Sequence, residues 1–192
     1  MTAVDERRMT ELFENLEVTE GVKIELLRGN IVMMAGPDVV HNDIVEAVLD
    51  QFPRKKWRRL QTQDVALHQE SSEPQPDLVL VERGTGPDSG RMMPPEVIKM
   101  VVEVVSKTSV DHDYVIKRSI YAASRLPLYL IIDPLVAHCV LLTGPAGTGE
   151  NADYRSQSIY KFGDPVPLDQ LDVVLDTSEF GTLPNVRPHR RP

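Results

Sequence analysis

Along this chain the spacing of apolar residues changes period several times, and each change marks a new element. Met9, Leu12, Phe13 and Leu16 recur at helical spacing and predict an amphipathic helix over residues 5–17. Residues 22–28 and 31–34 read as two strands around Gly29-Asn30, a two-residue hairpin turn. Gly36-Pro37-Asp38 breaks the chain and caps a helix whose stripe is Val40, Ile44, Val45, Val48, Leu49 and Phe52, with Pro53 ending or bending it. Residues 61–69 alternate loosely as a strand, and Pro74 and Pro76 introduce a second apolar strand over 77–81. Residues 83–95 form a Gly/Pro-rich stretch without periodicity, expected as an exposed loop. A long apolar strand over 97–105 follows. Residues 111–125 then read as a helix with Val115, Ile120, Tyr121 and Ala122 inward. Three further strands over 128–133, 136–142 and 154–162 precede a Pro-rich closing segment with a short apolar stretch at 168–175.

This order predicts an α/β chain of the mixed, α+β kind, with one mixed sheet flanked by helices. The helix between strands 97–105 and 128–133 is long enough for a right-handed crossover, so those strands are expected as parallel neighbours. The expected division is an N-terminal helix over 1–20, a main domain over 21–176 and a tail over 177–192. The tail's Arg187-Pro-His-Arg-Arg-Pro192 is basic, and its prolines predict a frayed end.

One residue breaks the apolar pattern. Glu103 sits among valines in what reads as a buried central strand. An ionised carboxylate there costs several kcal/mol, on the order of the burial penalties known for lone charges, unless a cation compensates it. A metal ion does so if a second carboxylate can reach it, and Asp77 heads a neighbouring apolar strand. Lys117 lies on the predicted helix downstream. Two carboxylates and a lysine around one sheet fit metal-dependent phosphodiester hydrolysis. The carboxylates hold Mg²⁺, with Mn²⁺ as the alternative ion, and the lysine orients or deprotonates water or neutralises developing charge. Each residue also has a structural reading: a strand-entry turn for Asp77, an ion pair for Glu103, and a helical i,i+4 pair with Asp113 for Lys117.

Charge modifies this picture. The 192 residues carry a formal net charge of −8, which opposes a broad phosphate-attracting field. One segment is strongly basic, Arg54-Lys55-Lys56-Trp57-Arg58-Arg59. It reads either as a solvated helix end or loop, or as a nucleic-acid-contacting edge with Trp57 as a stacking or packing anchor. The single cysteine, Cys139, lies in an apolar strand pattern and is expected as a buried, inert thiol in a reducing, cytoplasmic setting. No apolar run approaches the roughly 20 residues of a membrane span, and the N-terminal residues show no secretory h-region.

Pro76-Asp77, Val102-Glu103-Val104-Val105-Ser106, Asp113-Tyr-Val-Ile-Lys117 with Tyr121-Ala122, and Tyr129-Leu-Ile-Ile-Asp133-Pro134 together resemble the Uma-two family. Glu25 with Gly29, and His41 near a helix start, match as well, so the resemblance spans roughly residues 20–175. The family belongs with the restriction-endonuclease-like proteins of the PD-(D/E)xK nuclease superfamily. The resemblance implies a restriction-endonuclease-like core, a magnesium-type site, DNA as partner and hydrolysis of its phosphodiester bonds. It implies Asp77 and Glu103 as metal carboxylates and Lys117 as a catalytic lysine carried on the helix. His41 and Glu25 are its second tier, placed to complete the site. This chain departs from the superfamily pattern where Val105 stands two residues after Glu103 in place of lysine, and Lys107 is a nearer candidate in sequence than Lys117. A domain this small implies a homodimer for double-strand cleavage. The rival expectations are a catalytically degenerate binding or scaffold protein on the same fold, and a dimeric interaction protein using loop 83–95 and the basic segment.

Overall fold

The apolar runs pair mainly into one sheet. The computed structural model describes residues 8, 9, 11–13, 15, 16, 22–184 and 186–191. Its strands are β1 (Val22–Leu27), β2 (Asn30–Ala35), β3 (Trp57–Gln61), β4 (Asp64–Val65), β5 (Leu78–Glu82), β6 (Met92–Met93), β7 (Ile98–Val104), β8 (Leu128–Asp133), β9 (His138–Ala146), β10 (Asp153–Lys161), β11 (Val166–Leu168) and β12 (Val173–Leu175). Six of them form a mixed sheet in the order β10-β9-β8-β7-β5-β3. Within it β7 and β8 are parallel neighbours, as the crossover length predicts, and the other pairings are antiparallel.

Alternation along each strand divides the core into two layers. Val79, Val101, Ile131 and Val140 face one side, where Ile120, Tyr121 and Leu126 cover them. Leu78, Leu80, Val102, Leu130 and Leu141 face the other, under Ile44 and Val48 of helix α1 (Val39–Asp50), Phe52 just beyond its end, and the β11–β12 hairpin. The stripe expected on α1 is the stripe it buries. The crossover is wound differently from the plain helix expected. His112–Lys117 form a π-helical turn that runs into α2 (Arg118–Ala123). The wider turn places Asp113, Tyr114 and Lys117 inward and leaves Val115 exposed, against the expectation for Val115.

Other boundaries differ for identifiable reasons. The first hairpin turns at Arg28-Gly29, both at positive φ (49° and 73°), one residue before the expected pair. That is the I′-type geometry matching strand twist. The basic segment, expected as a helix end or loop or as a nucleic-acid-contacting edge, runs into edge strand β3, where Trp57 packs edge-on to Phe52 with ring centroids 6.2 Å apart. Of residues 61–69, Gln61 ends β3 and Asp64–Val65 pair with Met92–Met93, so part of loop 83–95 is ordered by parallel pairing. The tail does not lie free, because His189 Nε2 is 2.6 Å from the buried carboxylate of Asp133. Of the expected N-terminal helix, Arg8, Met9 and Glu11–Phe13 are helical, and the rest of residues 5–17 apart from Asn15 and Leu16 lies outside the described residues. No helix among the described residues is long and apolar enough to cross a membrane.

Cys139 is fully enclosed in the α1-side layer, and burial pushes its thiol up to about 12. In native buffer at pH 8, a thiol reagent is expected to label Cys139 no faster than the chain unfolds. Stoichiometric labelling within seconds would contradict that enclosure.

Candidate active site

The α2-side face of the sheet carries the acids. Extending the β5–β7 register of Leu78 opposite Val102 sets Asp77 opposite Glu103, on the face that also holds Val79 and Val101. Asp77 is tied down further, because its Oδ2 accepts a 2.8 Å hydrogen bond from the backbone N–H of Val104. Strand β1 adds a third acid. Alternate residues of a strand share a face, so Lys23, Glu25 and Leu27 lie together, and Leu27 joins the core on this side. Glu25 is completely buried, and its Oε1 accepts from the N–H of Gln75 at 2.7 Å. A turn shifted by one residue would have sent this whole set to solvent.

Lys117 reaches this face from the π turn with 1% of its surface exposed. Its Nζ lies 2.9 Å from Glu103 Oε1, 3.0 Å from Glu25 Oε2 and 3.6 Å from Asp113 Oδ1. Tyr121, one helical turn on, donates its hydroxyl to the same Glu103 Oε1 at 2.7 Å. A second ammonium, Lys23, sits 3.1 Å from Asp77 Oδ1, 3.8 Å from Glu25 Oε1 and 3.9 Å from Glu103 Oε2. Asp38 caps α1 by accepting from the N–H of His41 at 2.9 Å, which sets His41 in the first turn with its Nε2 3.0 Å from Asp77 Oδ2. A cleft of about 530 Å³ opens onto these groups and is bounded by the α1 start, the β2 end and Ser106–Ser109.

Asp77, Glu103, Lys117, His41 and Glu25 are therefore gathered in one place. Lys23, Asp113 and Tyr121 complete the cluster without having been candidates. Lys23 carries a readable signal, since it stands two residues before Glu25 on a strand and must share its face. Lys107 lines the cleft mouth but pairs with none of these acids among the described residues. The basic segment lies elsewhere. Trp57 pairs with Glu82 and Gln61 with Leu78, so Arg54–Lys56 are at the end of β3 away from Asp77. Arg58 donates to the carbonyls of Thr85 and Pro87, and Arg59 to those of Leu49 and Phe52. Arg54 and Lys55 are exposed, and Lys56 donates to the carbonyl of Leu171.

The electrostatics follow from crowding. Four carboxyls (Glu25, Asp77, Glu103, Asp113) meet two ammoniums, and the His41 imidazole stands at the edge. Burial pushes the Glu103 carboxyl up to about 8 against the pull of Lys117 and Lys23. Burial likewise pushes Asp113 up to about 6, against Lys117 and the hydroxyl of Ser109. Burial would raise Asp77 too, but Lys23 and His41 outweigh it and hold Asp77 below the usual carboxylate range. Burial works against charge on Lys117, yet Glu103, Glu25 and Asp113 overcome it and hold the ammonium charged. His41 is opposed by burial and raised on balance by its bond to Asp77.

A mixed sheet with a helix layer carries this carboxylate–lysine cluster at the foot of a cleft. The fold is shared with a solved structure from Anabaena variabilis ATCC 29413, titled a putative nuclease belonging to DUF820. That structure aligns at a TM-score of 0.66 with 15% identity, over 88% of this chain and 95% of that one. This chain belongs to the Uma2 family, described as "Putative restriction endonuclease", whose model matches residues 10–178. No curated protein matches the sequence.

The charge imbalance makes the cluster asymmetric to mutation. In metal-free buffer Lys117→Met is expected to cost about 3–5 kcal/mol by urea unfolding, because it strands buried carboxylates. Glu103→Gln removes one of the surplus acids and is expected to cost only about 1–2 kcal/mol. Equal losses would contradict the imbalance. The pH dependence has a definite sign. Between the ordinary value of 4.5 and about 8, folded Glu103 keeps a proton that the unfolded chain has lost. Its contribution to stability therefore falls as pH rises through that window. Glu103→Gln should lose this decline, so the stability of the variant relative to wild type should improve from pH 5 to pH 8.

Proposed function

We propose that this protein is a metal-dependent endonuclease that hydrolyses phosphodiester bonds of DNA, with Mg²⁺ or Mn²⁺ held by Asp77 and Glu103. The observation that carries the reading is the buried convergence of Lys117, Glu103 and Asp77 from three separate elements at the foot of one cleft. A scaffold has no evident need for two neighbouring carboxylates and two lysines in its core, since apolar residues of similar volume serve stability as well or better.

The donor set fits a hard divalent cation. Asp77 and Glu103 offer carboxylate oxygens on adjacent strands, and Mg²⁺ is commonly held by one or two carboxylates, with water and phosphate filling the remaining positions. No cluster of three or more His, Cys, Asp or Glu side chains set to hold a metal occurs among the described residues. The four carboxyls exceed the two ammoniums by the charge of one divalent cation. Such an ion supplies Lewis-acid stabilisation and an activated water.

The chain's own residues divide the remaining work. Lys117 is locked by Glu103 and Glu25 and held protonated, so it acts by charge, offsetting the negative charge that builds on the phosphate, and not by abstracting a proton. That role also explains how Val105 is tolerated where the superfamily pattern has lysine: the ammonium arrives from the helix. Tyr121 and Glu25 position Lys117 and Glu103, and His41 orients Asp77. Ser106–Ser109 and the start of α1 frame the space where the sugar–phosphate backbone lies. Double-strand cleavage by a domain of this size calls for a homodimer.

Nicking of supercoiled plasmid in Mg²⁺ or Mn²⁺ tests the reading. Wild type is expected to nick, and Glu103→Ala and Lys117→Ala to be slower by about 10²–10⁴-fold. Equal rates for all three would assign the nicking to a contaminant and overturn the proposal. A second reading, a nuclease-fold binding or scaffold protein with a degenerate site, is favoured by one observation. Lys23 already stands between Asp77 and Glu103. Calorimetry separates the two, because a degenerate site shows no saturable Mn²⁺ binding that Asp77→Asn abolishes.

A further inference from the structure

Lys23 and Lys117 serve the same acids, but their surroundings differ. Lys117 is enclosed and bonded on several sides, so it has no room to leave. The Lys23 side chain is 17% exposed and lines the cleft, and its ammonium lies beside Asp77 Oδ1 and Glu103 Oε2 together. Its stem rises from β1, which pairs in a small sheet with β2 and not in the main sheet. Like any lysine, it has a flexible four-carbon stem and a compact, readily hydrated head.

We propose that Lys23 is a displaceable internal counter-ion. Its ammonium holds the place of the divalent cation between Asp77 and Glu103 and swings into the cleft when that cation binds. This inference rests on the metal reading above and adds a residue to it.

The physical reason is charge. The ammonium lies 3.1 Å from Asp77 Oδ1 and 3.9 Å from Glu103 Oε2, so a divalent ion held by these carboxylates would meet a like charge at close range. Without the ammonium, Asp77 Oδ1 and Glu103 Oε2 would lose the cation they share in the metal-free state. Lys23 thus lets the fold form before metal arrives, at the expense of metal affinity. Once displaced, the ammonium enters the cleft from the β1 side. Lys23 is accordingly a positioning residue, acting on Asp77 and Glu103.

Mn²⁺ binding, measured by calorimetry and by the rise in melting temperature, tests this without any assay of activity. Lys23→Met keeps the apolar stem and removes the charge. It is expected to lower the melting temperature of the EDTA-treated protein, to bind Mn²⁺ at least about ten-fold more tightly, and to gain more from Mn²⁺ on melting than wild type does. Lys23→Gln, which keeps a polar head in the cleft, should show the same direction and covers failure of the methionine variant to fold. Binding by the variants where wild type shows none makes Lys23 a permanent occupant and overturns its displacement. Equal or weaker binding by the variants, with wild type binding, overturns this proposal and leaves the metal reading standing. No binding by wild type or either variant overturns both.

Discussion

The burial of the Lys117 ammonium among the carboxyls of Glu103, Glu25 and Asp113 is the constraint on which the rest of this structure depends. A lysine with almost no exposed surface is sustainable only where carboxylates surround it, and here Glu103, Glu25 and Asp113 do so from a central strand, a hairpin and the lysine's own helix. Each element must therefore arrive in one register. The π turn brings Lys117 and Asp113 inward together, and the tight turn at Arg28-Gly29 sends Glu25 to the same face. The Asp77–Val104 bond ties the start of β5 to the end of β7.

That burial leaves the site poised. Four carboxyls and two ammoniums are not balanced, and the protein meets the imbalance by holding protons on Glu103 and Asp113 more tightly than usual. A divalent cation would remove the need for them. In the proposed function the same imbalance that costs folding stability provides affinity for the metal. This is the expected relation between an active site and the scaffold that holds it.

Much of this was legible in the residues. Glu103 declares itself because a carboxylate among valines has no ordinary explanation, and Asp77 follows as the acid at the head of the neighbouring strand. The parallel β7–β8 pair follows from crossover length, and the α1 stripe from its period. Lys23 is harder to see, because a lysine on an edge hairpin has a solvent-facing reading, and only the hairpin register turns it inward. Val115 misleads because a helical period of 3.6 does not hold through a π turn. The basic segment's side-chain partners are not legible at all: Arg59 donates to the carbonyls of Leu49 and Phe52 and Arg58 to those of Thr85 and Pro87, pairings that depend on tertiary placement.

The central claim is that Asp77 and Glu103 form a divalent-cation site which Lys23 occupies until the cation arrives. A crystal structure of the wild-type protein grown in Mn²⁺, with anomalous scattering recorded at the manganese edge, tests it most directly. The account predicts one peak about 2.0–2.3 Å from oxygens of both Asp77 and Glu103, with the Lys23 ammonium turned into the cleft. A map without that peak, with Lys23 still between the two carboxylates at saturating Mn²⁺, would contradict it.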